Sequence, residues 1–288
     1  MKIASLAKDG KFVITAEVGP PKGVDIKEML DDAELMRSRI DAINVTDQQS
    51  SVMRLGSLAV CRLLKEKGLE PVFQMTCRDR NRIALQSDLL SAYVLGIENV
   101  LSLTGDFVAL GDHPEAKGVF DLDSVSLLVA AKELEQGRDL SGNELKGSPS
   151  FCLGAVVTPG AEPLEPQLIK MEKKVKAGAQ FFQTQAVYEP EKFETFMKAV
   201  QHLNVPVLVG IVMLRSAAMA RFMNRNVAGV HVPEQLIEEM DQAKNRTQKS
   251  IEIAARLINE MKPLCQGAHI MAIGWEKRVP EVLDAAGL

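Results

Sequence analysis

One glutamate in the sequence has the setting of a proton donor, because it lies at the end of an apolar, β-branched run. Residues 12–18 read Phe-Val-Ile-Thr-Ala-Glu-Val and precede Gly19-Pro20-Pro21. The run predicts a buried strand, which the prolines end because they have no N–H to donate. A carboxyl group among apolar neighbours is costly to ionise, so we expect Glu17 to have a raised pKa and to act as a general acid. The alternative is a strand-end glutamate paired with a lysine or arginine.

Further polar side chains come at the ends of later apolar runs. They are Thr46 and Asp47, Gln74 and Thr76, Thr104 and Asp106, Thr158, Gln183 and Gln185, and His269. The set offers amides, hydroxyls and lone carboxylates, but no histidine pair, no carboxylate cluster for a metal and no nucleophile beside a base. It predicts a polar, planar ligand, acid catalysis by one carboxyl group and no metal site. For His269, the alternative to ligand binding is a core histidine with satisfied hydrogen bonds.

The elements that must position these residues alternate regularly. Eight short apolar runs predict strands at 12–18, 41–46, 71–77, 99–103, 151–156, 181–185, 207–211 and 268–272. Amphipathic segments between them predict helices, several of which end at a glycine such as Gly68 or Gly96. This pattern predicts a (β/α)8 TIM barrel, a single domain over residues 1–288, with the strand ends at one mouth. An open doubly wound sheet is the alternative, but no GxGxxG follows the first strand.

Composition narrows the class of protein. The 288 residues are 46% hydrophobic and 25% charged, with a net charge of −4, an acidic balance that argues against nucleic acid as a partner. No apolar run approaches the ~18 residues of a membrane span, and residues 1–10 are too polar for a secretory signal. The four cysteines are scattered without metal-ligand spacing, so we expect a reducing, cytoplasmic setting.

Taken in order, the strand-end motifs resemble those of the methylenetetrahydrofolate reductase family, flavoproteins with a (β/α)8 barrel. The matching segments are Glu17 before Pro20-Pro21, Val45-Thr46, Gln74-Met75-Thr76-Cys77, Leu103-Thr104-Gly105-Asp106, Lys174 to Ala179, Phe182-Gln183-Thr184-Gln185 and Gly210-Ile211. Each motif is weak alone. Their order and their positions at successive strand ends, from about residue 10 to residue 272, make the resemblance specific.

The resemblance implies the reduction of 5,10-methylenetetrahydrofolate to 5-methyltetrahydrofolate by hydride from a flavin, FAD by family default and FMN as the alternative. Glu17 matches the general acid that helps to open the five-membered ring to the iminium ion. Asp106 matches an aspartate near the flavin and the pterin, and Gln185 matches the glutamine that hydrogen-bonds the pterin, with Gln183 beside it. The flavin-contacting positions implied by the family are Thr46, Asp47, Gln74, Thr104, Gly105, Asp106 and Lys174. Lys174 would serve the flavin phosphate, and its alternative is a solvated helix face.

The sequence departs from the family on the nicotinamide side. Asp47 stands where the family usually has an aromatic residue, and Ala217 stands where NADH-using members carry a phenylalanine. A lost stacking ring and an added negative charge predict poor use of NADH. The chain also resembles the short form that works with a second, metal-binding subunit in anaerobic one-carbon metabolism, which implies that electrons arrive through a partner.

Two other functions compete with this one. A different barrel enzyme, an aldolase or a pterin methyltransferase, would need a Schiff-base lysine at a strand end or a methyl acceptor, and the sequence indicates neither. A flavin-free folate-binding or scaffolding subunit is favoured by the missing aromatic residues and opposed by the presence of Glu17 and Asp106. The visible spectrum of the purified protein would separate the flavoenzyme from both.

Overall fold

The computed structural model describes residues 2–288 and shows a closed barrel of eight parallel strands in sequence order. The strands are β1 (Val13–Val18), β2 (Ala42–Val45), β3 (Pro71–Thr76), β4 (Asn99–Leu103), β5 (Cys152–Val157), β6 (Phe181–Ala186), β7 (Val207–Val212) and β8 (Gly267–Met271). The helices are α1 (Ile3–Lys8), α2 (Lys27–Met36), α3 (Ser57–Glu66), α4 (Arg82–Val94), α5 (Ser124–Glu135), α6 (Glu165–Lys176), α7 (Pro190–Val200), α8 (Ala217–Asn226), α9 (Glu234–Gln242), α10 (Arg246–Met261) and α11 (Val279–Ala285). Strand β8 closes onto β1, with Ala16 opposite Ile270. The predicted (β/α)8 barrel is confirmed.

The interior of the barrel is layered, because every second side chain of a strand points inward. The layer nearest the N-terminal strand ends is apolar and includes Val72, Phe181 and Leu208. Phe181 occupies the space beside Gly154, where an added Cβ would lie 2.2 Å from its ring. Further along several strands the buried side chains become polar. The barrel therefore has an apolar floor beneath a polar mouth.

Helix α1 closes the floor of the barrel. Ile3 is fully buried there, and its N–H donates to the Asn99 side chain at 3.1 Å. The N–H of Ala4 points to Cys152 Sγ at 3.4 Å, and Lys2 Nζ donates to Ser150 Oγ at 2.8 Å. Neither α1 nor α11 was predicted, because helices of 6 and 7 residues are too short to show a helical period in the sequence.

One side of the mouth is built from two loops that hold each other. Gln48, Ser50 and Ser51 have left-handed backbones with φ of 51°, 56° and 58°, and α3 begins only at Ser57. The Ser51 hydroxyl donates to the carbonyl oxygens of Asp106 and Phe107, which follow β4. The loops after β2 and β4 therefore form one continuous rim.

Outside the barrel, the helices bury one face each against the strands. The longest, α10, has 16 residues, and half of its length is buried, including Ile251, Leu257 and Ile258. Among residues 2–288, no helix combines the length and the apolar character that crossing a membrane requires.

Candidate active site

Glu17 lies at the mouth, one residue before the end of β1, with 12% of its side chain exposed. Its Oε2 accepts a hydrogen bond from Gln74 Nε2 at 3.1 Å, and His269 Nε2 lies 3.7 Å from the same oxygen. No lysine or arginine in the described part of the chain pairs with Glu17, so the predicted alternative, a structural ion pair with such a residue, is wrong. Since Oε1 has no hydrogen-bond partner within residues 2–288, this oxygen is the one available to a ligand.

A buried hydrogen-bond network supports His269 from beneath. Gln183 Nε2 donates to Asn44 Oδ1 and to Thr15 Oγ1, both at 3.1 Å, and Gln183 Oε1 accepts from Asn44 Nδ2 at 2.7 Å. Thr15 Oγ1 lies 2.9 Å from His269 Nδ1. Because Thr15 already accepts from Gln183, its own O–H is free to donate to Nδ1, which favours the neutral tautomer with the proton on Nε2. That proton faces Glu17.

The two glutamines of β6 differ in their surroundings. Gln183 is 1% exposed, and its amide is occupied by Asn44 and Thr15, so the structure assigns it to the framework of the site and not to the predicted substrate contact. Gln185, two residues nearer the mouth, is half-buried, and its side-chain amide makes no hydrogen bond to residues 2–288. Its predicted contact with a ligand therefore stays open.

Two residues at the mouth, one after β2 and one after β4, bear on whether a cofactor could bind there. Thr46 is 3% exposed, yet its Oγ1 finds no hydrogen-bond partner among the described residues. Gly105 has φ of +96°, and an added Cβ would lie 3.0 Å from Arg78 Cβ and 3.1 Å from Thr76 Cβ, so glycine lets the chain after β4 pack closely against the end of β3. Buried polar groups in native proteins are normally paired, so the orphaned hydroxyl points to a missing ligand or water.

Thr104 and Asp106, on either side of Gly105, have different environments. The Thr104 hydroxyl accepts from the Ser124 N–H at 3.2 Å at the start of α5, which ties the end of β4 to that helix. Asp106 is exposed, and no ion pair of its carboxylate occurs within residues 2–288. Asp106 is therefore the exposed negative charge at this part of the mouth.

Asp47 does not face the mouth as a free charge. Its side chain is completely buried and accepts from the Thr76 N–H at 2.8 Å and from Arg80 Nη1 and Nη2 at 2.8 and 3.0 Å. Arg80 also pairs with Asp88 at 3.0 Å. The expected repulsion of an anionic dinucleotide by Asp47 was wrong, because the charge is neutralised and shielded. Its predicted contact with the flavin would have to involve atoms other than this carboxylate.

Lys174 is buried between α6 and β5. It is 7% exposed, and its Nζ donates to the Val156 carbonyl at 2.6 Å. Burial lowers the pKa of Lys174 to about 8, with a smaller contribution from the nearby Lys170. The alternative of a solvated helix face is therefore wrong for this residue. Its role at a flavin phosphate stays a prediction.

The contribution of Thr15 and Asn44 was missed from the sequence. The available signal was the period of two in β1, which places Thr15 and Glu17 on the same inward face. His269 was recognised as a candidate, and both of its interpretations hold in part, since its Nδ1 is satisfied within the core and its Nε2 faces Glu17. The predicted nicotinamide position, Ala217, is 5% exposed in the first turn of α8.

Comparison with known proteins identifies a family. The family described as "Methylenetetrahydrofolate reductase" matches residues 2–287. Among curated proteins, Methylenetetrahydrofolate reductase 2 of Schizosaccharomyces pombe is 24% identical over 257 residues, covering 81% of this chain and 38% of that protein. The 5,10-methylenetetrahydrofolate reductase of Pectobacterium carotovorum is 26% identical over 196 residues, covering 67% of this chain and 60% of the relative. This chain thus spans less than two thirds of the length of these relatives.

Solved structures agree on the fold. A Clostridium thermocellum protein described as binding two copies of 5-methyl-5,6,7,8-tetrahydrofolic acid aligns with a TM-score of 0.64, at 16% identity and 98% coverage of both chains. An oxaloacetate acetylhydrolase aligns with a TM-score of 0.54 at 12% identity, covering 94% of this chain and 78% of the other. At these identities the likeness concerns the barrel and not the chemistry.

Proposed function

Because the chain belongs to the methylenetetrahydrofolate reductase family, we propose that it reduces 5,10-methylenetetrahydrofolate to 5-methyltetrahydrofolate with a bound flavin. The observation that carries this proposal is the setting of Glu17. Gln74 and His269 both approach Oε2, and Oε1 is left open at the mouth of the barrel. A carboxyl group held by one oxygen and open at the other is suited to deliver a proton to a bound substrate.

The residues of the mouth fit a flavin. Among residues 2–288, Thr46 Oγ1 has no hydrogen-bond partner and could bind the flavin, and Lys174 would supply a cation for a phosphate. When bound, the flavin would supply the hydride. FAD is the family default, and FMN would use the same groups.

In this proposal Glu17 performs the acid step. A proton passes from Oε1 to the ring nitrogen of the substrate as the methylene C–N bond breaks, and the resulting iminium carbon accepts hydride. His269 Nε2–H and the Gln74 amide stabilise the carboxylate that remains. Gln185, with its amide unpaired in the described chain, would bind the pterin. Asp106 would place negative charge near the flavin and make the reduced form a stronger reductant.

We propose that electrons reach the flavin through a second subunit, since Ala217 offers no ring for a nicotinamide. A flavin-free folate-binding subunit is the competing function. The buried Thr46 hydroxyl, which has no hydrogen-bond partner within residues 2–288, supports the flavoprotein. All four cysteines are free and buried, which supports the proposed reducing, cytoplasmic setting.

The decisive variant is Glu17→Gln, which is nearly isosteric but has no proton to donate. Pre-reduced protein is mixed anaerobically with methylenetetrahydrofolate, and flavin reoxidation is followed by absorbance. We expect a loss of about 10²–10⁴-fold with unchanged flavin content. Glu276→Gln is the matched control, because this glutamate also follows a barrel strand at the mouth but, among residues 2–288, accepts only from the Gly274 N–H. A Glu17→Gln rate within about threefold of wild type, well under the usual worth of an acid, would reject Glu17 as the donor.

A further inference from the structure

An arginine is immobilised at the rim of the mouth between β7 and β8. Arg215 follows β7, and its guanidinium carbon lies 5.6 Å from the ring centroid of Trp275, which follows β8. Arg215 Nη1 donates to the Ile273 carbonyl at 3.0 Å. Arg215 is nonetheless exposed, so the guanidinium is held in one place while its remaining N–H groups face solvent.

The backbone after β8 is shaped for this contact. Ile273 has φ of +49°, which is unusual for a β-branched residue, and Gly274 follows with φ of +81°. An added Cβ on Gly274 would lie 3.4 Å from Arg215 Nη1, an ordinary contact distance, so the left-handed backbone and not the arginine is what favours glycine here. Backbone strain of this kind is concentrated at functional sites.

Arg215 also carries uncompensated charge. Its neighbours at the rim are paired, Lys277 with Glu28 at 3.2 Å and Arg278 with Glu281 at 2.6 Å. Within residues 2–288, Arg215 forms no ion pair, and the nearby Glu276 carboxylate accepts from the Gly274 N–H at 2.9 Å. An arginine that is positioned but unpaired is a ready binding group for a carboxylate or phosphate.

The register of the strands places this arginine above the proposed acid. Ala16 lies opposite Ile270 and Val212 lies opposite Met271, so Glu17 is level with Met271. Arg215 follows the end of β7 and Ile273 follows the end of β8, so both lie on the mouth side of the level of Glu17. A ligand whose ring is bound at Glu17 and whose tail leads out of the barrel would pass Arg215.

We propose that Arg215, stacked on Trp275, binds the glutamate carboxylates of the folate tail and makes the protein select substrates with an anionic tail. This inference rests on the proposed function for the identity of the ligand. It assigns to Arg215 a role in specificity and none in the chemical step. Arginine suits the task because its planar fork can bind a carboxylate through two parallel hydrogen bonds.

The test compares binding of three ligands by calorimetry: tetrahydropteroate, which lacks glutamate, tetrahydrofolate with one glutamate, and its triglutamate form. For Arg215→Ala we expect the affinity for the triglutamate to fall about tenfold, the usual worth of a charged hydrogen bond, and that for tetrahydropteroate to stay unchanged. Arg215→Lys should recover only part of the loss. Trp275→Ala removes the ring on which Arg215 stacks but keeps the arginine, so it should lower the affinity for the triglutamate by a smaller factor.

Arg225→Ala is the matched control, because Arg225 is an exposed arginine of α8 that also forms no ion pair within residues 2–288. It should leave all three affinities unchanged.

The inference would be overturned if Arg215→Ala weakened the binding of tetrahydropteroate and of the triglutamate equally, or if it left the affinity for the triglutamate unchanged. If Arg215→Ala loses flavin but still binds the triglutamate more tightly than tetrahydropteroate, the anion bound by Arg215 is a cofactor phosphate and the inference is overturned. If wild-type protein binds no reduced folate, the proposed function and this inference both fail, whereas tail-selective binding without reduction would overturn only the reductase.

Discussion

At the scale of single residues, the two oxygens of Glu17 have different surroundings. Oε2 lies near two donors, Gln74 Nε2 and His269 Nε2, and Oε1 lies near none in residues 2–288. This asymmetry orients the carboxyl group without occupying the atom that would meet a substrate. The orientation depends in turn on His269, whose ring is held through Nδ1 by Thr15.

Thr15→Val tests this dependence, because valine keeps the shape of threonine but loses the hydroxyl. His269 Nδ1 and one N–H of Gln183 would then be buried without a partner, and we expect a loss of about 1–3 kcal/mol in the free energy of unfolding. We also expect slower reoxidation of the reduced flavin by methylenetetrahydrofolate. Chemical denaturation and anaerobic stopped-flow measure the two effects. Thr15→Ser keeps the hydroxyl and should restore both, and a valine variant as stable and active as the serine variant would contradict the network.

At the scale of elements, the strands were predictable and the short helices were not. Runs such as Phe181–Ala186 are predicted to be strands because of their apolar, β-branched or aromatic content. The polar residues at the ends of these runs correctly indicated the mouth of the barrel. The pairing of Asp47 with Arg80 joins residues from two different loops, and no local pattern indicates it. The burial of Lys174 could not be predicted either, because the sequence of a charged segment does not show which of its lysines faces the barrel.

Lys174 provides a pH test at this scale. Its pKa is lowered from 10.5 to about 8 by burial, so between these values the unfolded chain holds a proton that the folded chain has released. The stability of wild type relative to Lys174→Met should therefore be constant below pH 8 and increase from pH 8 to 10.5, by at most about 3 kcal/mol. Urea unfolding of both proteins across this range measures the difference.

Lys173→Met is the control for that experiment, because Lys173 is its exposed neighbour in α6. The difference between wild type and Lys173→Met should not vary with pH in the same way. A flat difference for Lys174→Met would mean that the ammonium group is not buried in solution as the structure shows.

At the scale of the whole molecule, the proposed function requires a source of electrons for the flavin. Ala217 is the feature that disfavours NADH as this source, since Asp47 is neutralised by Arg80. A stacked ring adds ~0.5–1.5 kcal/mol beyond its buried area, so its absence weakens nicotinamide binding severalfold or more. We expect the isolated, flavin-loaded chain to be reduced slowly by NADH or NADPH and rapidly by an artificial dye. Anaerobic stopped-flow compares the two, and fast, saturable bleaching at micromolar NADH would instead indicate a self-sufficient enzyme.

The closure of the barrel floor by α1 has a consequence for the order of folding. Lys2 and Ala4 bind Ser150 and Cys152, and Ile3 binds Asn99, so the first helix contacts partners 96 to 148 residues away. During synthesis these partners emerge long after α1 has left the ribosome. Helix α1 is thus made well before the partners on which it docks, and a nascent chain that ends before β5 exposes both the apolar face of α1 and the floor that it will cover. Chaperone contacts with the growing chain should therefore persist until β5 has been made.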